Sequence, residues 1–155
     1  MIHILFSLAN FFRRQAQRLL NTSTLGVKAL IIKDNKEVML VEHTYMAGWH
    51  LPGGGVGLRE TPKEAIVREV KEETGLVVNQ EPALFAVYAH QIMGAADYPL
   101  LYVITDFSTP LNVKLCKEIR QARWFDINNL PPETSESTLQ RIKEVIHSLP
   151  IADTW

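Results

Sequence analysis

Thiol chemistry is nearly absent from this chain. Cys116 is its only cysteine, so no internal disulfide can form, which fits a reducing compartment. Nothing around Cys116 in the sequence marks an activated thiol. No stretch is long and apolar enough to span a bilayer. A strong charge of one sign is lacking too. The formal net charge of −1 sets up no field that would gather a nucleic acid polymer, whereas a nucleotide stays open because a local metal can neutralise its phosphates. There is no internal repeat and no low-complexity tract. A secretory signal is also missing. In MIHILFSLANFFRRQAQRLL the charges Arg13, Arg14 and Arg18 follow the apolar run, and no small-residue cleavage site stands out. These absences leave a cytoplasmic chain of 155 residues, enough for one domain with a sizeable core.

The informative part is one stretch, Gly53 to Leu76, which reads GGGVGLRETPKEAIVREVKEETGL. Thr61, Pro62 and Glu64 resemble a helix start, with Thr as N-cap, Pro at the first helical position and Glu in the capping-box position. Gly75 suits the C-terminal cap. Within that helix Glu69, Glu72 and Glu73 fall at i, i+3 and i+4, which puts three carboxylates on one side. Like charges so placed repel by roughly 0.2–0.5 kcal/mol per pair. A divalent cation turns the repulsion into coordination, and hard oxygen donors suit Mg²⁺ or Mn²⁺. The glycines upstream permit close backbone approaches that a Cβ would block. The stretch therefore predicts a metal-assisted reaction on a phosphate-containing substrate.

Counting from Gly54, five residues lead to Glu60 and seven more to Arg68-Glu69, followed by Val70, Lys71, Glu72-Glu73, Thr74, Gly75 and Leu76. This spacing resembles, position by position, the signature of the Nudix hydrolases, G-x5-E-x7-R-E-U-x-E-E-x-G-U with U aliphatic. The resemblance implies an α/β fold, an α/β/α sandwich with a mixed sheet, extending from about Leu25 to Leu149. It implies hydrolysis of the pyrophosphate bond in a nucleoside diphosphate derivative: a nucleotide sugar, a nucleoside di- or triphosphate, or a dinucleotide. Glu69, Glu72 and Glu73 would hold metal and act in catalysis. A backbone carbonyl of Gly53 or Gly54 would complete the coordination, with Gly54 taken as the ligand. Glu60 and Arg68 would support them. Glu118 occupies the region where many members carry a further metal-binding or catalytic glutamate. One departure is the loop Gly57-Leu58-Arg59-Glu60, where many relatives have Glu and Gly at the positions of Gly57 and Arg59. Arg59 adds a positive charge within reach of a phosphate. A nucleotide-sensing module of the same fold without turnover is the alternative, and the intact carboxylate set argues against it.

Elsewhere the pattern predicts strands over 25–33 and 37–43 joined at Asp34-Asn35, then over 83–91, 99–107 and 122–126, with a loop over 93–98. A terminal helix is expected over 138–149, ended by Pro150. Residues 2–20 read as an amphipathic helix. It is expected to pack on the domain or on a second subunit in a homodimer, with peripheral membrane contact as the less favoured alternative. The chain thus divides into the helix at 1–22, the domain at 23–150 and a tail at 151–155. Trp49, Tyr45, Tyr88 and His90 are candidates to line the substrate pocket, each weighed against ordinary packing. Asp97 is a weaker candidate for the general base.

Overall fold

The computed structural model describes residues 23–92, 95–110 and 115–155. The helix expected over 2–20, with its packing, dimer and membrane readings, lies outside the described residues. Among the described residues no helix is long and apolar enough to cross a membrane.

The chain builds strands β1 (Thr24–Lys33), β2 (Glu37–His43) and β3 (Trp49–His50), helix α1 (Pro62–Thr74), and strands β4 (Val77–Val78), β5 (Ala83–Val87), β6 (His90–Ile92), β7 (Ala95–Ile104), β8 (Phe107–Ser108) and β9 (Ile119–Asp126). Helix α2 (Glu136–Ile146) follows. The main sheet runs β3-β2-β1-β7-β5, with β6 paired to β7 and β9 to β2. It is mixed, because β1 and β7 are parallel from Thr24↔Asp97 to Ile31↔Ile104 while the other pairs are antiparallel. Strands β4 and β8 form a separate small ribbon.

The hairpin between β1 and β2 turns where the sequence predicts. Asp34 and Asn35 carry φ of 52° and 54° and form a left-handed turn closed by the Lys36 amide on the Lys33 carbonyl at 3.0 Å, within a three-residue connection between the paired Lys33 and Glu37. The two strands then pair only beside the turn, at Ile32↔Val38 and Lys33↔Glu37. Further back, the glycine loop lies along β1 in place of β2. The Val27 amide donates to the Gly54 carbonyl and the Ala29 amide to the Pro52 carbonyl, both at 2.9 Å, and Val56 N donates to Leu25 O at 3.1 Å. The loop is in effect a short strand wedged where the hairpin splays.

Alternation along β1 divides the core. Val27, Ala29 and Ile31 face α1 and pack with Ala65, Ile66, Val70, Leu100, Tyr102 and Ile104. Leu30 and Ile32 face the other way and pack with Val38, Leu40, Leu51, Leu101 and Ile142 of α2. The expected α/β/α sandwich is what the chain forms. Three local expectations need correction. The strand over 83–91 breaks at Tyr88-Ala89 into β5 and β6. Residues 95–98, expected in a loop, are the start of β7. Residues 151–155 are no loose tail. Ala89 N donates to Asp153 O at 2.9 Å, Trp155 N to Ala89 O at 3.0 Å and Arg141 to Thr154 O at 3.1 Å.

Candidate active site

Helix α1 starts as its sequence requires. Thr61 accepts from the Glu64 amide, the Glu64 carboxylate returns to the Thr61 amide, and Gly75 closes the far end at φ 74°. These caps fix where the helix begins and ends, and so fix which side of it carries the acids. Ala65, Ile66 and Val70 are buried against the sheet. That places Glu69 and Glu73 against the glycine loop and leaves Glu72 further out, its side chain 51% exposed.

The loop is shaped around these carboxylates. Glu73 Oε2 accepts the Gly53 amide at 2.8 Å. A Cβ on Gly54 would lie 2.3 Å from Glu69 Oε1, and one on Gly53 would lie 2.0 Å from the Val27 carbonyl. Glycine at these two positions is thus what lets helix, loop and β1 meet. Arg68 organises the near side. It donates to both oxygens of Glu60, at 3.1 and 2.7 Å, to Glu69 at 2.7 Å and to the Gly55 carbonyl at 3.2 Å. Glu60 in turn accepts the Gly57 amide at 2.7 Å. Arg68 and Glu60 thus link the loop to the Glu69 carboxylate, with Glu72 at 3.6 Å from the same guanidinium.

The electrostatics report acids short of positive charge. Burial pushes the Glu73 carboxyl up to about 7, with Glu69 and Glu118 adding to the rise and Lys28 and the Gly53 amide opposing it. Burial also raises Glu69, against the pull of Arg68. Glu60 is lowered by its hydrogen bonds from Arg68. A cation brought to Glu69 and Glu73 would relieve the desolvation that raises them. Among the described residues, no three His, Cys, Asp or Glu side chains already converge on one ion-sized point. The donors still fit a hard divalent cation in kind: anionic oxygens with a backbone carbonyl nearby. Arg68 holds Glu69, and Glu72 points partly to solvent.

The residues expected outside the motif divide. Glu118 is exposed at the entry to β9, its carbonyl accepting the Thr44 amide at 2.8 Å, and its charge acts on Glu73 and on Tyr45. The Tyr45 hydroxyl is pushed up to about 12 by desolvation and then by Glu118, Glu73 and Glu69, although the residue is 55% exposed. Asp97 is buried and accepts the Thr24 hydroxyl. His90 is half-buried opposite Asp97 in the β6–β7 register. Arg59 is exposed on the loop. One candidate is corrected. Tyr88 is fully buried, and its hydroxyl donates to Glu144 at 2.8 Å in the core under α2, so its ring is not free to stack on a substrate. Trp49 is half-buried, with its ring edge-on to Phe125 at 4.6 Å. Which face a strand residue takes depends on register, which composition does not reveal.

Two residues beside the site escape the sequence reading. Lys28 sits in the middle of β1 and its ammonium donates to the carbonyls of Leu51 at 3.3 Å and Gly53 at 3.4 Å. Burial lowers its pKa, opposed by Glu73, Glu69 and Asp97. Its sequence signal was a lone cation inside an apolar strand. His43 is 3% exposed, its Nδ1 has no partner among the described residues, and it lies 5.8 Å from the His50 ring. Burial, Lys28 and His50 together push it down to about 4.

The NUDIX domain family model matches residues 22–146. The ADP-ribose pyrophosphatase of Methanocaldococcus jannaschii is 33% identical over 109 residues, 69% of this chain and 64% of that protein. The NAD-capped RNA hydrolase NudC of Vibrio cholerae is 27% identical over 71% of this chain and 40% of its own length. The chain thus spans less than two thirds of either relative. Among solved structures, a MutT NUDIX hydrolase from Burkholderia pseudomallei aligns with a TM-score of 0.69 at 25% identity, over 80% of this chain and 98% of that one. A NUDIX hydrolase from Nitrosomonas europaea aligns with a TM-score of 0.71 at 23% identity, over 85% and 99%.

Proposed function

The chain belongs to the Nudix family, and we propose that it hydrolyses the pyrophosphate bond of a small nucleoside diphosphate derivative, using Mg²⁺ or Mn²⁺ held by Glu69, Glu72 and Glu73. The observation that carries this reading is Glu73. This carboxylate is 5% exposed, fixed by the Gly53 amide and placed beside a second carboxylate, Glu69, an acid pair that a divalent cation would neutralise. One relative is named an ADP-ribose pyrophosphatase and another an NAD-capped RNA hydrolase; the small-molecule class proposed here follows the first of these names.

When bound, the divalent cation screens the diphosphate, polarises a phosphoryl oxygen and lowers the pKa of a water. The chain's own residues do the rest. Glu73 would keep Oε2 on the Gly53 amide and offer its other oxygen to the ion. Glu69 and Glu72 would supply the further carboxylates. A backbone carbonyl of Gly53 or Gly54 would complete the donors; each already accepts one hydrogen bond, from the Lys28 ammonium and the Val27 amide, and keeps a second lone pair. Arg68, anchored on Glu60, keeps Glu69 oriented. Glu118, whose charge is felt at Glu73, is our candidate general base.

A hydrolysis screen over nucleotide sugars, nucleoside di- and triphosphates and dinucleotides, with Mg²⁺ or Mn²⁺ and beside a Glu72→Gln variant, tests the reading. We expect turnover of at least one diphosphate-containing substrate, lost in EDTA and in the variant. Binding of nucleotides with no turnover under any metal would refute it.

A further inference from the structure

Lys28 is a buried cation beside the proposed site of another cation. The ammonium projects from the middle of β1 onto the loop carbonyls of Leu51 and Gly53, at 3.3 and 3.4 Å. Both contacts are long, and among the described residues no carboxylate oxygen lies within 4.0 Å of it. Yet the acids whose charge acts on it are, in order, Glu73, Glu69 and Asp97. The Gly53 residue joins the two sides: its amide goes to Glu73 and its carbonyl to Lys28. The loop is laddered to β1 on both sides of Lys28, through the Val27 and Ala29 amides.

We propose that Lys28 is a tethered counter-cation of the metal site. It shares the Gly53 carbonyl and the field of Glu69 and Glu73 with the divalent ion, and so sets how tightly that ion is held. In the absence of the ion it offsets the charge of the acid pair. When the ion takes the Gly53 oxygen, the ammonium keeps the Leu51 oxygen and remains as a like-charged neighbour. Lys28 is a positioning residue in this account, acting through the ligands and touching no reacting atom. The proposal rests on the metal reading above.

The opposite role, a lysine that merely braces the loop, gives an effect of opposite sign. Removing a brace loosens the ligands and weakens metal binding; removing a competitor tightens it. The test is calorimetric titration of the full chain with MnCl₂, without substrate, for wild type, Lys28→Met and Lys28→Arg. Repulsion between a lysine and a divalent ion a few ångströms away, at an effective dielectric near 20, corresponds to at least about a tenfold change in affinity. We expect Lys28→Met to bind Mn²⁺ at least about tenfold more tightly than wild type, and Lys28→Arg, which keeps the charge, to stay near wild type. If the methionine variant does not fold, Lys28→Gln replaces it and must show the same tightening. Unchanged or weaker binding in the neutral variant overturns the proposal while leaving the metal site intact. Failure of the wild type itself to bind Mn²⁺ overturns the metal reading, and this inference with it.

Discussion

The two helices of the sandwich each present an arginine and a glutamate at helical spacing, and the molecule treats them in opposite ways. On α2, Arg141 and Glu144 are sealed, with side-chain exposures of 0% and 1% and a contact of 2.7 Å. Tyr88 donates to the same carboxylate, the Ala152 amide adds a bond at 3.1 Å, and the guanidinium lies 4.2 Å from the Tyr88 ring and 5.3 Å from that of Trp155. On α1, Arg68 also meets glutamates, but in a half-open setting, with acids that outnumber the cations beside them. The first cluster is close to self-sufficient and ties the end of the chain to the core. The second is left wanting positive charge. A sealed ion pair with most of its hydrogen bonds filled, Arg141 Nε excepted, serves the architecture; a half-open cluster with an excess of acids is free to take up a further cation.

Breaking each cluster should therefore be felt in a different quantity. The largest effect is expected on the closed side. Arg141→Met strands a buried carboxylate and should lower the unfolding free energy by about 3–5 kcal/mol in urea titration. Its turnover per folded molecule should not change; an equal loss in turnover would merge the two regions. Next comes the wall beside the open site. His43 is buried and neutral, with a folded pKa of about 4 against an ordinary 6.5. Below pH 6.5 the unfolded chain takes up a proton that the folded one refuses. The His43 contribution to stability therefore falls as pH drops from 6.5 to about 4, by up to about 3 kcal/mol, and stays level below that. Urea titrations across that window should slope less steeply for His43→Gln than for wild type.

The open side itself should answer in turnover. Glu72→Gln and Glu73→Gln should each lower kcat at least ~100-fold, with stability near or above that of the wild type for Glu73→Gln, since a neutral amide replaces a desolvated acid. Near-normal kcat in both would remove the metal assignment. The smallest effect is Tyr88→Phe, which deletes one bond to Glu144 and should cost about 2 kcal/mol in urea titration with no change in KM. A raised KM there would return Tyr88 to the substrate pocket.

The contrast also marks what could be read from the sequence. The capping box, the C-terminal glycine and the face bearing Glu69, Glu72 and Glu73 are local chemistry within α1, and each formed as the residues dictate. The hairpin turn at Asp34-Asn35 is equally local. Arg141 and Glu144 carry a comparable local pattern, yet their partners Tyr88 and Trp155 arrive from distant segments, and nothing nearby in sequence announces them. Tyr88 was legible as an aromatic in a strand but not as a buried one, because the break after β5 sets its direction. Lys28 was missed because its meaning depends on the loop that inserts beside β1, about 25 residues further along the chain. Contacts of that range are fixed by topology, which composition constrains only through the order of elements.

The insertion of the glycine loop into the splayed hairpin has a consequence for motion. The amides of Val27 and Ala29 are closed by the loop's carbonyls instead of a neighbouring strand, while β1 is laddered to β7 along its other edge from Thr24 to Ile31. In deuterium exchange these two amides become timers for the loop alone. If they exchange faster than the rest of β1, the loop lifts out as a local opening while the sheet stays shut. If they exchange only with global unfolding, the loop backbone is as fixed as the sheet it completes.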